Sequence, residues 1–177
     1  ISGGGATEAG IDCVGVNRLV IADNRLSDMP YVGIMVKGGS TDVVISGNTV
    51  SGAGHTGIEV GGYTDSRYYP PGFLAGGGDY EAGNVLISGN TITNSGNAAL
   101  RLIGAQGVLI SGNLLGGTNA LVKIDDSSLF HDPWFASDIG FVGNSVSGNW
   151  LIDRADRAVI WWQQAAVQAF DDWRETP

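Results

Sequence analysis

Two lysines, a glutamate and an arginine occupy matching places in successive segments of this 177-residue chain. Lys37 closes the run Ile34-Met35-Val36, while Glu59, Arg101 and Lys123 sit at the centres of Ile58-Glu59-Val60, Leu100-Arg101-Leu102 and Val122-Lys123-Ile124. Side chains alternate across an extended strand, so a charge between two apolar neighbours faces away from whatever those neighbours bury. Two aromatic-rich stretches follow these runs. Residues 62–82 hold Tyr63, Tyr68, Tyr69, Phe73 and Tyr80, and residues 126–138 hold Phe130, His131, Trp134 and Phe135. Aromatic faces stack on sugar C–H surfaces, and Lys and Arg pair with carboxylate or sulfate groups. The combination suits a linear acidic sugar chain, with Tyr63, Tyr68, Tyr69, His131 and Trp134 as the expected contacts. The competing reading is an ion-pair ladder in which Glu59 bridges Lys37 and Arg101, with the aromatics packing their loops onto the body.

The elements that must position these groups are repeats. VVISGNTV (43–50), VLISGNTI (85–92) and VLISGNLL (108–115) are one unit, and LVIADNRL (19–26) and IGFVGNSV (139–146) are weaker copies. The repeated Asn falls at 24, 48, 90, 113 and 144, at spacings of 24, 42, 23 and 31 residues. A base period of about 23 residues with Gly and Asn turns describes a solenoid. The leucine-rich frame and the longer helical repeats do not match it. The long spacings place insertions at 62–82 and 126–138, after the same strand of their coils, and long loops on a rigid scaffold commonly carry function. Aligning the second strand of each coil gives one outward column of Asp12, Met35, Glu59, Arg101 and Lys123. The next reads Val14, Lys37, Gly61, Ile103 and Asp125. The Asn column reads as scaffold, because Asn tolerates left-handed backbone angles and can stack amide on amide. Cys13 aligns with inward Val36 and Val60, a buried thiol. His55, in a Gly-rich turn, reads as a surface histidine.

The v-x-I-x-x-N-x-I unit resembles the right-handed parallel β-helix proteins of the pectate-lyase-like superfamily, over roughly residues 10–153. The resemblance implies an all-β, single-stranded solenoid of about five or six coils over residues 1–153. Residues 154–177 then supply a last strand, Ile160-Trp161-Trp162, and a short amphipathic helix with Val167, Phe170 and Trp173 that caps the end. Within that group, Lys37-Gly38-Gly39-Ser40, Gly61-Gly62-Tyr63-Thr64 and Tyr80-Glu81-Ala82 look like a subgroup of β-helix repeat proteins. More distantly, a lysine ending a strand is similar to polysaccharide lyase family 6, where a lysine base works with an arginine acid on the next coil. Here the next coil offers Glu59 and Gly61, and Arg101 comes one coil later. The implied reaction is β-elimination from a uronic-acid polymer, or the related C5-epimerisation. Lys37 is then the base, Arg101 and Lys123 clamp the sugar carboxylate, and Tyr63, Tyr80 or His131 serves as acid. Calcium is a possible substitute neutraliser, with Asp12, Glu59, Glu81, Asp125 and Asp126 as oxygen ligands, and no cofactor is required otherwise. Hydrolysis ranks lower, because the carboxylate signatures of polygalacturonases are missing, although Asp12 and Glu59 lie on the order of 10 Å apart.

Composition excludes other classes. With 9 basic against 18 acidic residues, the net charge of −9 opposes nucleic acid as a partner. No apolar run approaches the roughly 20 residues of a membrane-spanning helix. One Cys gives no disulfide scaffold. The chain opens on Ile1-Ser2-Gly3, partway through a coil, as an excerpt of a longer protein would. A polysaccharide partner implies an extracellular or cell-surface location. The competing class is a non-catalytic glycan-binding or structural segment of a surface protein or phage tail spike. A tail spike would show an apolar outer stripe, and no long one is visible, although Val14 and Ile103 are placed outward. The oligomeric state stays open.

Overall fold

The computed structural model describes residues 2, 7–116, 120–125, 137–147, 150–154 and 157–162. The chain winds through coils of three short strands. The first coil comprises β1 (Ile11–Val14), β2 (Asn17–Ala22) and β3 (Arg25–Ser27), and the second β4 (Ile34–Lys37), β5 (Ser40–Ser46) and β6 (Thr49–Ser51). Then come β7 (Thr56–Gly61), β8 (Ala82–Ser88) and β9 (Thr91–Thr93), followed by β10 (Ala98–Ile103), β11 (Ala105–Ser111) and β12 (Leu114–Gly116). β13 (Ala120–Asp125), β14 (Ser137–Val142) and β15 (Ser145–Ser147) precede β16 (Trp150–Arg154) and β17 (Arg157–Trp162). Equivalent strands pair in parallel to form three sheets, one of seven strands and two of five. This is the expected parallel β-helix. The strand expected last, β17, runs antiparallel to β16. The expected C-terminal helix, at 163–177, lies outside the described residues.

The strands form because each alternates an apolar residue with a tolerant one. Ile34, Ile58, Leu100 and Val122 share one register line, and Val36, Val60, Leu102 and Ile124 share another. All eight side chains are buried in the common core, each contributing on the order of 1.5–3 kcal/mol. Cys13 is in register with Val36 and packs against that core, only partly buried where a buried thiol was expected.

The Asn column is a continuous ladder. The side-chain oxygen of Asn48 accepts both the backbone and side-chain N–H of Asn24, each at 3.0 Å. The same double bond repeats from Asn48 to Asn90, Asn90 to Asn113 and Asn113 to Asn144. The left-handed backbone expected at these asparagines falls one residue earlier, at Asp23, Gly47, Gly89, Gly112 and Gly143. That residue makes the turn, and the Asn amide fastens it to the next coil.

The five-stranded sheet built on β2, β5, β8, β11 and β14 has an unexpected exterior. Its register aligns Val20, Val44, Leu86 and Leu109 outward in one column, which continues to the buried Gly140. The adjoining outward column is Ala22, Ser46, Ser88, Ser111 and Val142. Val20, Leu109 and Val142 are 65%, 43% and 52% exposed. An outer apolar stripe therefore exists, on a different sheet from Val14 and Ile103.

Candidate functional site

The outward face of the seven-stranded sheet gathers the charged residues. Its register sets Asp12 beside Met35, Met35 beside Glu59, Glu59 beside Arg101 and Arg101 beside Lys123, the order expected from the repeat. The face is partly roofed: Met35 and Glu59 are buried, and so is Ile103, which the alignment placed outward. Ile103 lies where the first insertion returns to the body, with the Glu81 N–H donating to the Gly104 carbonyl at 2.8 Å.

Arg101 is the hub. Its Nε donates to Asp125 Oδ2 at 2.6 Å and its Nη1 to Glu59 Oε2 at 3.5 Å. The Tyr63 ring centre lies 5.9 Å from its guanidinium carbon, and Tyr63 is 41% exposed. Burial pushes the Glu59 carboxyl above the usual carboxylate range, against the pull of Arg101 and Lys37. Burial likewise pushes the Tyr63 phenol upward. Arg101 stays above its ordinary value because Asp125 and Glu59 outweigh the opposing effect of its own burial. The ion-pair ladder is thus present around Arg101. Lys37 departs from it: its ammonium lies 3.5 Å from Asp12 rather than on Glu59. Lys123 is half-buried in register with Arg101.

His55 belongs to this site, which the sequence did not reveal. Its Nδ1 is 4.0 Å from Glu59 Oε2 and 3.0 Å from Thr56 Oγ1, and its Nε2 is 3.2 Å from Asn97 Nδ2. Its ring stacks on Tyr31 with centroids 4.8 Å apart. Burial, with Arg101 and Lys123 nearby, holds the imidazole below its usual range, so it meets Glu59 as a neutral ring. The available signal was position: His55 and Glu59 are four residues apart where the chain turns into β7.

The first insertion is built around Glu81, a carboxylate only 2% exposed. Its oxygens accept from the Gly38 N–H at 3.1 Å, the Thr64 N–H at 3.0 Å and the Thr64 hydroxyl at 2.7 Å. The Lys-Gly-Gly-Ser, Gly-Gly-Tyr-Thr and Tyr-Glu-Ala segments therefore meet at one anchor. Gly61 is required there, since its φ is +88° and a Cβ would clash with the Ile103 carbonyl oxygen.

The aromatic residues of this insertion divide. Tyr69 is 7% exposed and stacks on Phe73 at 5.4 Å, and its burial, with the Glu81 carboxylate nearby, drives its pKa up. Tyr80 meets Phe73 edge-on at 5.0 Å. Expected as a sugar contact, Tyr69 instead fastens the loop, because its flat face is already covered. Tyr80, expected as an acid, packs in the same cluster. Tyr63 and Tyr68 remain open to solvent, the latter 58% exposed. His131, Trp134 and Asp126 lie outside the described residues. Among the described residues no three His, Cys, Asp or Glu side chains converge as a metal-binding group. Glu81 is committed to backbone amides, Glu59 and Asp125 to Arg101, and Asp12 to Lys37.

A family model described as "Right handed beta helix region" matches residues 9–168. No curated protein matches the sequence.

Proposed function

The chain belongs to the right-handed β-helix family, and on that premise we propose that it is a carbohydrate-active β-helix that takes an anionic, uronic-acid-containing polysaccharide. The observation that carries this reading is the pairing of exposed Tyr63 with Arg101. A tyrosine face open to solvent supplies a stacking surface for a sugar ring. The guanidinium beneath it has five N–H donors and can meet a uronate carboxylate in two-point fashion. Lys37 and Lys123 extend the positive charge along neighbouring strands, and Tyr68 adds a second exposed ring.

β-Elimination is the chemistry this site serves best, with C5-epimerisation as its variant. A base takes the C5 proton, the electron pair forms the C4–C5 double bond, the C4–O bond breaks, and the leaving oxygen receives a proton. Arg101 neutralises the carboxylate and so acidifies C5, and Tyr63 reaches the sugar with its hydroxyl. Glu59, closed to solvent, acts as a positioning residue for Arg101. Lys37 is the base of this scheme, and it stands 3.5 Å from the Asp12 carboxylate that compensates its charge. That same compensation of Lys37 by Asp12, and of Arg101 by Glu59 and Asp125, favours the second reading, a non-catalytic glycan-binding face.

The test pairs calorimetric binding with ultraviolet detection of unsaturated product, on alginate, pectate and chondroitin, with and without calcium. Wild type is expected to bind at least one of them, and Tyr63→Ala and Arg101→Lys to bind it about tenfold more weakly or worse. Unsaturated product lost in Tyr63→Phe supports elimination. Binding without product supports the glycan-binding face, and no binding by folded protein refutes both.

A further inference from the structure

We propose that His55 is a positioning residue for Arg101: it competes with Arg101 for one oxygen of Glu59, and on gaining a proton it frees Arg101 to hold an acidic ligand. The ligand in this proposal rests on the acidic-sugar reading of the site. The competition itself does not.

The geometry carries the competition. Glu59 Oε2 lies 3.5 Å from Arg101 Nη1 and 4.0 Å from His55 Nδ1, so one oxygen faces two nitrogens. Glu59 is buried, which leaves its carboxylate dependent on these protein partners. Arg101 is held on its other side by Asp125, whose Oδ2 accepts from Nε at 2.6 Å. The Glu59 contact is the longer and weaker of the two, and so the one that yields.

The ring is set for the exchange. Asn97 Nδ2 donates to His55 Nε2 at 3.2 Å, so the proton of the neutral imidazole sits on Nδ1, toward Thr56 Oγ1 at 3.0 Å and Glu59. A second proton goes to Nε2. The ring is then an imidazolium, and its Nδ1–H closes on Glu59 to about 2.8 Å as a charge-assisted bond. The new Nε2–H meets the Asn97 amide, which turns over to present its oxygen.

Charge sets the consequence. Around the ring stand Glu59 on β7, Arg101 on β10, and Lys123 and Asp125 on β13, with the Tyr31 ring stacked on it and Asn97 beside it. Lys37 on β4 acts on Glu59, Tyr63 of the insertion lies against Arg101, and Asp12 on β1 holds Lys37. The carboxylates of Asp12, Glu59 and Asp125 balance the cations of Lys37, Arg101 and Lys123. The face is formally neutral, and one proton on His55 makes it a net cation. Burial, Arg101 and Lys123 lower the imidazole pKa and Asp125 raises it, so the change falls below about pH 6.5, where a uronate is still ionised.

Two measurements test this, with circular dichroism confirming the fold of each variant. Without ligand, imidazole proton NMR from about pH 4.5 to about pH 8 follows His55, identified by the resonance lost in His55→Gln. Its midpoint is expected to fall in Glu59→Gln, which removes the acceptor, and to rise in Arg101→Met, which removes the competitor. A midpoint unmoved by either overturns the proposal. With pectate or alginate oligosaccharides and a chelator present, calorimetry is expected to show wild type binding about tenfold more tightly below the His55 midpoint than at about pH 8. His55→Gln loses this step, and Glu59→Gln binds tightly at both pH values. Asn97→Asp, which sets a carboxylate against Nε2, moves the titration and the step together to higher pH by about one unit. A step that persists in His55→Gln belongs to the proton of Glu59 and overturns the proposal. Absence of binding at every pH refutes the acidic-sugar reading alone, and the ligand-free titration then decides the competition for Glu59.

Discussion

At Glu59 two forces act on one proton. Removal from water favours the neutral acid, Arg101 and Lys37 favour the carboxylate, and burial prevails. Folding therefore raises this pKa, so the folded state holds the proton more tightly than the unfolded chain. The stability contributed by this group is full below the usual carboxylate range and is lost as pH rises through the raised value. Urea unfolding of wild type and Glu59→Gln across pH 4 to 8 is expected to show Gln gaining relative to Glu as pH rises. His55 runs the opposite way, since its lowered pKa gives stability above the usual imidazole range that is lost as pH falls through the lowered value. The sequence displayed Glu59 and Arg101 in adjoining coils, and their contact was legible from that register alone. The burial of Glu59 and its contact with His55 were not, because both depend on where a turn sets its side chains.

At the scale of the element, the insertion at 62–82 is held by a carboxylate that stands in for missing sheet partners. Glu81→Ala leaves the Gly38 and Thr64 amides and the Thr64 hydroxyl without their acceptor. At about 1–3 kcal/mol for each buried donor left unsatisfied, the loss is about 3 kcal/mol or more. Arg67, 72% exposed in its side chain near the insertion's single 3-10 turn, is a natural trypsin site. Limited trypsinolysis is expected to cut there faster in Glu81→Ala than in wild type, while the parallel sheets keep their circular dichroism. Three short motifs spread over 46 positions pointed to kinship without disclosing that they close on one another. The count of aromatic residues also misled, since in the first insertion Tyr69, Phe73 and Tyr80 build the loop while Tyr63 and Tyr68 face outward.

Across the whole molecule, each coil rests only on its neighbours, so stability is distributed along one axis. Amides of β5, β8 and β11, flanked on both sides, are expected to exchange with deuterium about tenfold more slowly or better than those of β1, which among the described residues pairs with β4 alone. Equal rates in mass-spectrometric exchange would mean the solenoid opens as one cooperative block. The fold was legible because repetition exposes the register, and register in a parallel stack fixes which side chains adjoin. The apolar stripe obeys the same rule, and it lies in the very unit that identified the repeat, at Val44, Leu86 and Leu109. The asparagine ladder has one more property. From Asn48 to Asn113 each amide turns its oxygen toward the coil before it and gives a side-chain N–H to the Asn of the coil after, so the column is a line of aligned dipoles with a distinct head and tail. A coil set in backwards would bring oxygen against oxygen at one joint and hydrogen against hydrogen at the other. Duplication or loss of sequence can therefore lengthen or shorten this solenoid only by whole turns of one polarity.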